Sequence, residues 1–251
     1  MSGPPLLSVR GATRRFGAVT ALDDVSFTVD AGEVLAILGD NGAGKSTLIK
    51  CISGAHRLHA GSIALDGEPV TLSSPAAARA LGIETVYQDL ALFDNLDAVD
   101  NFYAGRELAR PRWLPRGLRV LRRREMTDTT AGVVRRLQVG LPSVTGAVGL
   151  LSGGQRQAVA VARATAFASR LVILDEPTAA LGLRESRQVL DLIRRLRDEG
   201  KGVIVISHAM DHVIEVADRA IVLRRGRKVG ELVPSDETHS DMVSLIVGGA
   251  A

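Results

Sequence analysis

The 251 residues are 46% apolar and 24% charged, proportions of a folded chain that exclude intrinsic disorder, and the length allows one large domain or two small ones. Only 3% is aromatic, so the core must be built from Ala, Val, Leu and Ile. The formal charge of +3 with a pI near 9.4 keeps nucleic acid and membrane surfaces in view, while the single cysteine, Cys51, excludes an internal disulfide and fits a reducing compartment.

No apolar run approaches the roughly 20 residues of a membrane-spanning helix, and MSGPPLLSVR lacks the apolar stretch of a signal peptide. The expected location is the cytoplasm. The first clear element, VSFTVD at 25–30, alternates apolar and polar and reads as a half-buried strand. VLAIL at 34–38 does not alternate and reads as a strand covered on both faces, as in a parallel sheet.

GDNGAGKST at 39–47 follows that strand and precedes the helical LIKCIS, in which Cys51 is a small core residue. It matches G-x-x-x-x-G-K-[ST] in the strand-to-helix setting the motif requires. Gly39, Gly42 and Gly44 let backbone N–H groups turn inward around a phosphate, within the span Gly39, Asp40, Asn41, Gly42, Ala43, Gly44, Lys45, Ser46 and Thr47. Lys45 reaches the β- and γ-phosphates of a nucleotide, and the Ser46 hydroxyl is a Mg²⁺ ligand.

The middle, about 90–157, loses the β-branched strand pattern and reads as a helical insertion into an α/β core. It holds RPRWLPRGLRVLRRR at 110–124, with seven arginines and no acid, which reads first as a solvated face and second as a binding patch. Stacking on bases has only Trp113 to work with. DTTAGVVRRLQVGL, 128–141, reads as helix. In LLSGGQRQAVAVARA, 150–164, Ser152, Gly153 and Gly154 sit just before a helix and offer a hydroxyl and open N–H groups at its positive end, a second phosphate site.

LVILDEPTAALG, 171–182, is a buried strand that runs into Asp175 and Glu176. Alone, such an acid pair is a solvated turn or a helix cap. Downstream of a phosphate loop it places Asp175 near Mg²⁺ and Glu176 where a water attacks the γ-phosphate. RESRQVLDLIRRLRDEG then gives a helix with Val189, Leu192, Ile193 and Leu196 on one face and Gly200 as its stop. VIVI at 203–206 and AIVL at 220–223 return to strand, and SDMVSLIV at 240–247 is a short amphipathic segment. Buried strands alternating with helices give an α/β class, and the chain carries no internal repeat.

LSGGQ at 151–155, a basic Ala-rich helix and then the acid-tipped strand resemble the signature region of ATP-binding-cassette proteins. The resemblance spans nearly the whole chain. By it, Phe16 matches the aromatic that stacks on adenine, Gln88 in VYQDLALF the residue that touches Mg²⁺ and water, and His208 in VISHAM the switch histidine. Gln155 completes the signature. His56, His59, His212 and His239 match no motif and are left as surface residues. TVYQDLALFDNLDAVDNFYAGRE and SHAMDHVIEVADRAIVLRRGRKV are similar to the ATPase subunits of bacterial monosaccharide importers, in their single-cassette, fructose-like form.

The resemblance implies an α/β P-loop NTPase core of RecA type, with an N-terminal antiparallel β part and an inserted helical subdomain. Residues 1–251 would form one cassette, its core from about 1–89 and 158–251 and its helical subdomain from about 90–157. It implies ATP and Mg²⁺ as ligands, and a homodimer in which each signature closes on ATP held by the other copy. It also implies an integral membrane permease, a periplasmic sugar-binding protein acting indirectly, and a place at the cytoplasmic face of the inner membrane. The rivals are import of another solute such as an amino acid, a cassette ATPase acting on nucleic acid or the ribosome, and a binder without turnover; no nucleic-acid partner is expected. One departure stands out: Gly182 lies where most cassettes carry an aspartate in the loop facing the partner subunit. It is either a permissive helix cap or a change in cross-talk between two sites.

Overall fold

The two strand patterns of the sequence become two sheets. In the computed structural model, which describes residues 3–110, 113, 120–137, 139–179 and 181–248, β1 (Leu7–Phe16) and β2 (Val19–Val29) pair antiparallel. The end of β2 buries Val25, Phe27 and Val29 and exposes Ser26 between them, the alternation expected of VSFTVD. The strand starts earlier than that alternation, at Val19, because pairing with β1 through the tight turn after Phe16 organises residues that have no apolar pattern of their own. β3 (Val34–Leu38) is buried at every position and leads into α1 (Lys45–Ile52). β4 (Ala60–Leu65) and β5 (Glu68–Val70) complete the antiparallel sheet in the order β2-β1-β4-β5.

After α2 (Pro75–Ala80) and β6 (Ile83–Val86) come α3 (Ala98–Tyr103), the hairpin strands β7 (Ala109–Arg110) and β8 (Val120–Leu121), α4 (Arg123–Arg136) and α5 (Gly153–Phe167). The helix expected over 128–141 is displaced toward the N-terminus. Arg122 pairs with Glu125, and Arg123 with Asp97 and Asp100, which fasten the first turn of α4. Gly140 and Pro142 oppose helix at its other end. Of the arginine-rich stretch 110–124, residues 111, 112 and 114–119 lie outside the described residues. A boundary at 157 would cut through α5, which runs unbroken across it.

β9 (Leu171–Asp175), α6 (Leu183–Asp198), β10 (Gly202–Ile206), α7 (Met210–Val216), β11 (Arg219–Arg224), β12 (Arg227–Leu232) and α8 (His239–Val247) finish the chain. The second sheet has the order β12-β11-β3-β10-β9-β6, parallel from β11 to β6 with β12 antiparallel at the edge. Its central strands β3, β10 and β9 read as unbroken apolar runs because helices or the other sheet cover both faces. Along β9, Val172 and Leu174 join the cluster of α5 and α6, whereas Leu171 and Ile173 join that of α1 and the antiparallel sheet. Each such side chain contributes about 1.5–3 kcal/mol by burial. Cys51 is 2% exposed among them, and burial pushes its thiol up to about 11, so its thiolate is suppressed at neutral pH. The register sets Ile37, Ile206 and Asp175 level across β3, β10 and β9. The carboxyl ends of these strands, where ligands bind in open α/β sheets, therefore open on one place.

Candidate nucleotide site

The loop from β3 to α1 is shaped by glycines that no other residue replaces. A Cβ on Gly39 (φ 148°) would lie 2.3 Å from the Leu223 carbonyl oxygen, and one on Gly44 (φ 105°) 2.6 Å from that of Ala21. Both the left-handed backbone and the close approach require glycine. Gly44 is the N-cap of α1 and brings no side-chain hydrogen bond, so the first N–H groups of the helix are left for a ligand. Lys45, 7% exposed, spans the loop, its Nζ donating to the carbonyls of Gly39 at 2.7 Å and Asp40 at 3.0 Å. Burial pulls its ammonium below the ordinary value, against Glu176, Asp175 and Asp40. The Asp40 carboxylate accepts from Asn41 N–H at 2.7 Å, and the Ala43 carbonyl from Gly226 N–H at 2.9 Å.

Asp175 ends β9 at 6% exposure, and burial raises its carboxyl against the pull of Lys45. At Glu176 the chain leaves the sheet through a left-handed φ of 53°, held by Glu176 N–H donating to Ile206 O at 3.0 Å. A non-glycine residue in that region is strained, and such strain clusters at functional sites. The turn aims a carboxylate that is 11% exposed at His208, which follows β10, with His208 Nε2 3.1 Å from Glu176 Oε1. Burial holds Glu176 above the ordinary carboxylate value in spite of His208. Gln88 follows Tyr87 at the end of β6, and the Tyr87 hydroxyl donates to Ser53 Oγ, at the C-cap of α1, at 2.8 Å.

Asp40 to Thr47, Gln88, Asp175, Glu176 and His208 line one open cleft of about 1170 Å³. So do residues no motif signals: Val19, Thr20 and Ala21 of β2, Thr178, His212 and Arg225. These are lone residues brought in by tertiary packing, and no spacing announces them. His212 corrects its reading as a surface residue. It is half-buried, with Nδ1 3.1 Å from Thr178 Oγ1. His56 is half-buried too, edge-on to Phe16 at 5.3 Å between ring centroids. His59 Nδ1 accepts from Arg15 N–H at 3.2 Å, and His239 is exposed at the start of α8.

Two sets of expected residues stand apart. Phe16, 42% exposed, lies between the Arg14 guanidinium and His56, opposite Val19 in the β1–β2 pairing and so next to the cleft wall rather than in it. Ser152, Gly154 and Gln155 line a different cavity of about 290 Å³, with Leu181, Arg184 and Glu185. There Ser152 and Gln155 form a reciprocal capping box on α5, and Gln155 Nε2 also donates to Gly140 O at 2.9 Å. Gly153 has open space where a Cβ would be.

Among the described residues no three His, Cys, Asp or Glu side chains cluster as a metal site. Mg²⁺ takes one or two carboxylates and completes its shell with water and substrate phosphate. Asp175, Ser46 and Gln88 supply such oxygen donors on one cleft, and the buried Asp175 charge is one a cation would compensate.

Residues 22–179 match the model of the ABC transporter family. The chain is 48% identical over 249 residues to the fructose import ATP-binding protein FrcA of Rhizobium meliloti, covering 99% of this chain and 96% of that one. It is 47% identical over 247 residues to the xylose/arabinose import ATP-binding protein XylG of Sulfolobus acidocaldarius, covering 97% and 96%. The solved ADP conformation of MJ1267, an ATP-binding cassette, shares the fold with a TM-score of 0.79 at 24% identity, over 97% of this chain and 99% of that one. With the phosphate loop, the acid-tipped strand and the signature helix in this arrangement, the chain belongs to the ABC transporter family.

Proposed function

We propose that this chain is the ATP-hydrolysing subunit that energises a membrane permease for uptake of a monosaccharide. One observation carries the hydrolytic half: Glu176 and His208, 3.1 Å apart, share a cleft with Lys45 and Asp175. The phosphate loop binds the triphosphate through the N–H groups around Gly42 and Gly44 and the start of α1, and Lys45 redirects its ammonium from two carbonyls to the phosphates. Mg²⁺, held by Ser46, Gln88 and Asp175, would neutralise charge on the bridging and terminal phosphates. Glu176 accepts the proton of the attacking water as ATP and water become ADP and phosphate. A carboxyl held above its ordinary value is the better base for that step. His208 lies beside the Glu176 carboxylate and faces the terminal phosphate. Phe16, at the rim, takes the adenine.

The signature lines a cavity separate from the cleft of its own chain. This supports a homodimer in which Ser152, Gly153, Gly154 and Gln155 of one copy complete the site of the other. Monosaccharide as the cargo rests on the names of the fructose and xylose/arabinose import relatives. No described helix is long and apolar enough to cross a membrane. On the likeness to import ATP-binding proteins we place the chain peripherally at the cytoplasmic face, through the permease. A solute-binding protein would deliver the sugar from outside. The test is to co-purify the tagged chain from its own membranes with its permease, reconstitute the pair in vesicles and measure sugar uptake. Uptake that needs ATP and a monosaccharide is expected. Stimulation by amino acids alone would overturn the assignment of cargo.

A further inference from the structure

Gln88 and Asp89 are the central residues of a turn closed by Leu90 N–H donating to Tyr87 O at 2.9 Å. The two residues that follow, Leu90 (φ 60°) and Ala91 (φ 46°), both have left-handed backbones. Consecutive non-glycine residues in that region are costly and persist only where surrounding structure imposes them. Here the imposing group is Arg163 on α5, whose guanidinium donates to Ala91 O at 2.8 Å and Leu90 O at 3.1 Å.

Arg163 is not there to neutralise a carboxylate. The nearby Glu84 has both oxygens engaged by Arg106, at 2.8 and 3.3 Å, and the Arg106 guanidinium in turn lies 4.2 Å from the centroid of Phe167. Among the described residues the hydrogen bonds of Arg163 go to the two strained carbonyls. Burial works against its charge, as do Arg106 and Arg79, and only Glu84 supports it. A half-buried cation without a direct carboxylate partner is costly, which argues that the two carbonyls are its purpose. The Gln88 turn is thus tied at both ends: Tyr87 to the phosphate-loop helix through Ser53, and Leu90 with Ala91 to the signature helix through Arg163.

We propose that Arg163 is a positioning residue for ATP hydrolysis: by clamping the Leu90 and Ala91 carbonyls it fixes Gln88 relative to the signature helix. This rests on the reading of Gln88 as a group that orients the metal and water. Displacement of α5 shifts Gln88 through the clamp, and loss of the clamp leaves Gln88 loosely placed beside an intact phosphate loop.

The test uses the full chain with MgATP and compares Arg163→Lys, Ala91→Gly, their combination and Gln88→Ala. Lysine keeps the half-buried charge but not the two-pronged fork. Arg163→Lys should lower kcat about tenfold and leave KM for ATP within about twofold. Glycine adopts the left-handed backbone without steric cost. Ala91→Gly alone should therefore be close to wild type and should return most of the lost kcat to the Arg163→Lys background. A merely structural arginine would lower the unfolding temperature without that rescue. Wild-type kcat in Arg163→Lys, or no recovery with glycine, overturns the clamp while Gln88→Ala still loses turnover. If Gln88→Ala itself turns over normally, the reading of Gln88 falls and the clamp with it. Should Arg163→Lys not fold alone, the doubly substituted chain folding with normal kcat supports the clamp, and its failure to fold overturns it.

Discussion

Two helices begin at the proposed phosphate contacts, and they begin differently. The N-cap of α1 is Gly44, left-handed and without a side-chain hydrogen bond, whereas that of α5 is Ser152, extended and locked with Gln155 in a capping box. The first leaves its N–H groups open toward Lys45, Asp175 and Glu176 in one cleft. The second has satisfied two N–H donors internally, those of Ser152 and Gln155, and opens on a cavity that holds no member of that acid pair. A helix end that has capped itself is stable alone and offers only its remaining N–H groups and the Ser152 hydroxyl proton outward. The difference supports the proposal that one end binds nucleotide by itself, while the other completes the site of a second copy.

The strongest way to break this comparison is to remove the chemistry from the first end only. Glu176→Gln should lower kcat by about 10²–10⁴, the range of a lost general base, with nucleotide affinity retained. The ATP-loaded chain should then accumulate as a dimer on size exclusion. Turnover at the wild-type rate would remove Glu176 from its role.

The second end is sharpened by Ser152→Ala. Loss of the cap should cost about 1 kcal/mol of stability and loss of the outward donor about tenfold or more in kcat, although the chain's own phosphate loop is untouched. Mixed with Lys45→Ala, which is crippled at the first end, it should regain activity, because a mixed dimer contains one site with neither lesion. A mixture no more active than its parts would show that the two ends do not meet across copies.

Much of this was legible in sequence where a contiguous segment carries its own physics. VLAIL and LVIL are strands because both faces are covered, and GDNGAGKST forms a glycine-shaped loop between β3 and α1 that carries its lysine and hydroxyl within one cleft. Legibility stops where tertiary contact decides. The start of β2 at Val19 comes from pairing, and α4 is moved by Arg123 reaching Asp97 and Asp100 on another element. Thr178, His212 and Arg225 reach the cleft from separate places, and the left-handed Leu90 and Ala91 run against the preferences of their residue types. Arg163 reads as one more basic residue of an Ala-rich helix until its partners are known.

A smaller effect distinguishes the ends by pH. Burial holds Asp175 and Glu176 above their ordinary values, so the native state retains protons the unfolded chain has released. Ionising them costs stability as pH rises from the ordinary glutamate value of 4.5 toward the native value. Without nucleotide and with a chelator present, Glu176→Gln should therefore raise the unfolding temperature at neutral pH by about 2–4 °C. The gain should vanish in acid below the ordinary value. Ser152→Ala, which removes no buried charge, should lose stability at both pH values. A gain for Glu176→Gln that persists in acid would mean that the amide packs better, rather than that the charge was costly.

The smallest expected effect lies at the third helix start of the site, Gly182. It is the N-cap of α6, at φ −70° and ψ 170°, without a side-chain hydrogen bond. That backbone is open to any residue, so Gly182 is not required by conformation. A Cβ there would lie 2.8 Å from Glu185 Oε2, the end of a flexible side chain that can swing away. Aspartate is a better N-cap than glycine by only a few tenths of a kcal/mol, and repulsion from Glu185 works against even that gain. Gly182→Asp should thus leave stability, ATPase rate and cooperativity in ATP close to wild type, as measured by thermal unfolding and full ATP titrations. A changed Hill coefficient at unchanged stability would instead place residue 182 in communication between the two sites. It would make the second helix end depend on a neighbour in its own chain as well as on the partner copy.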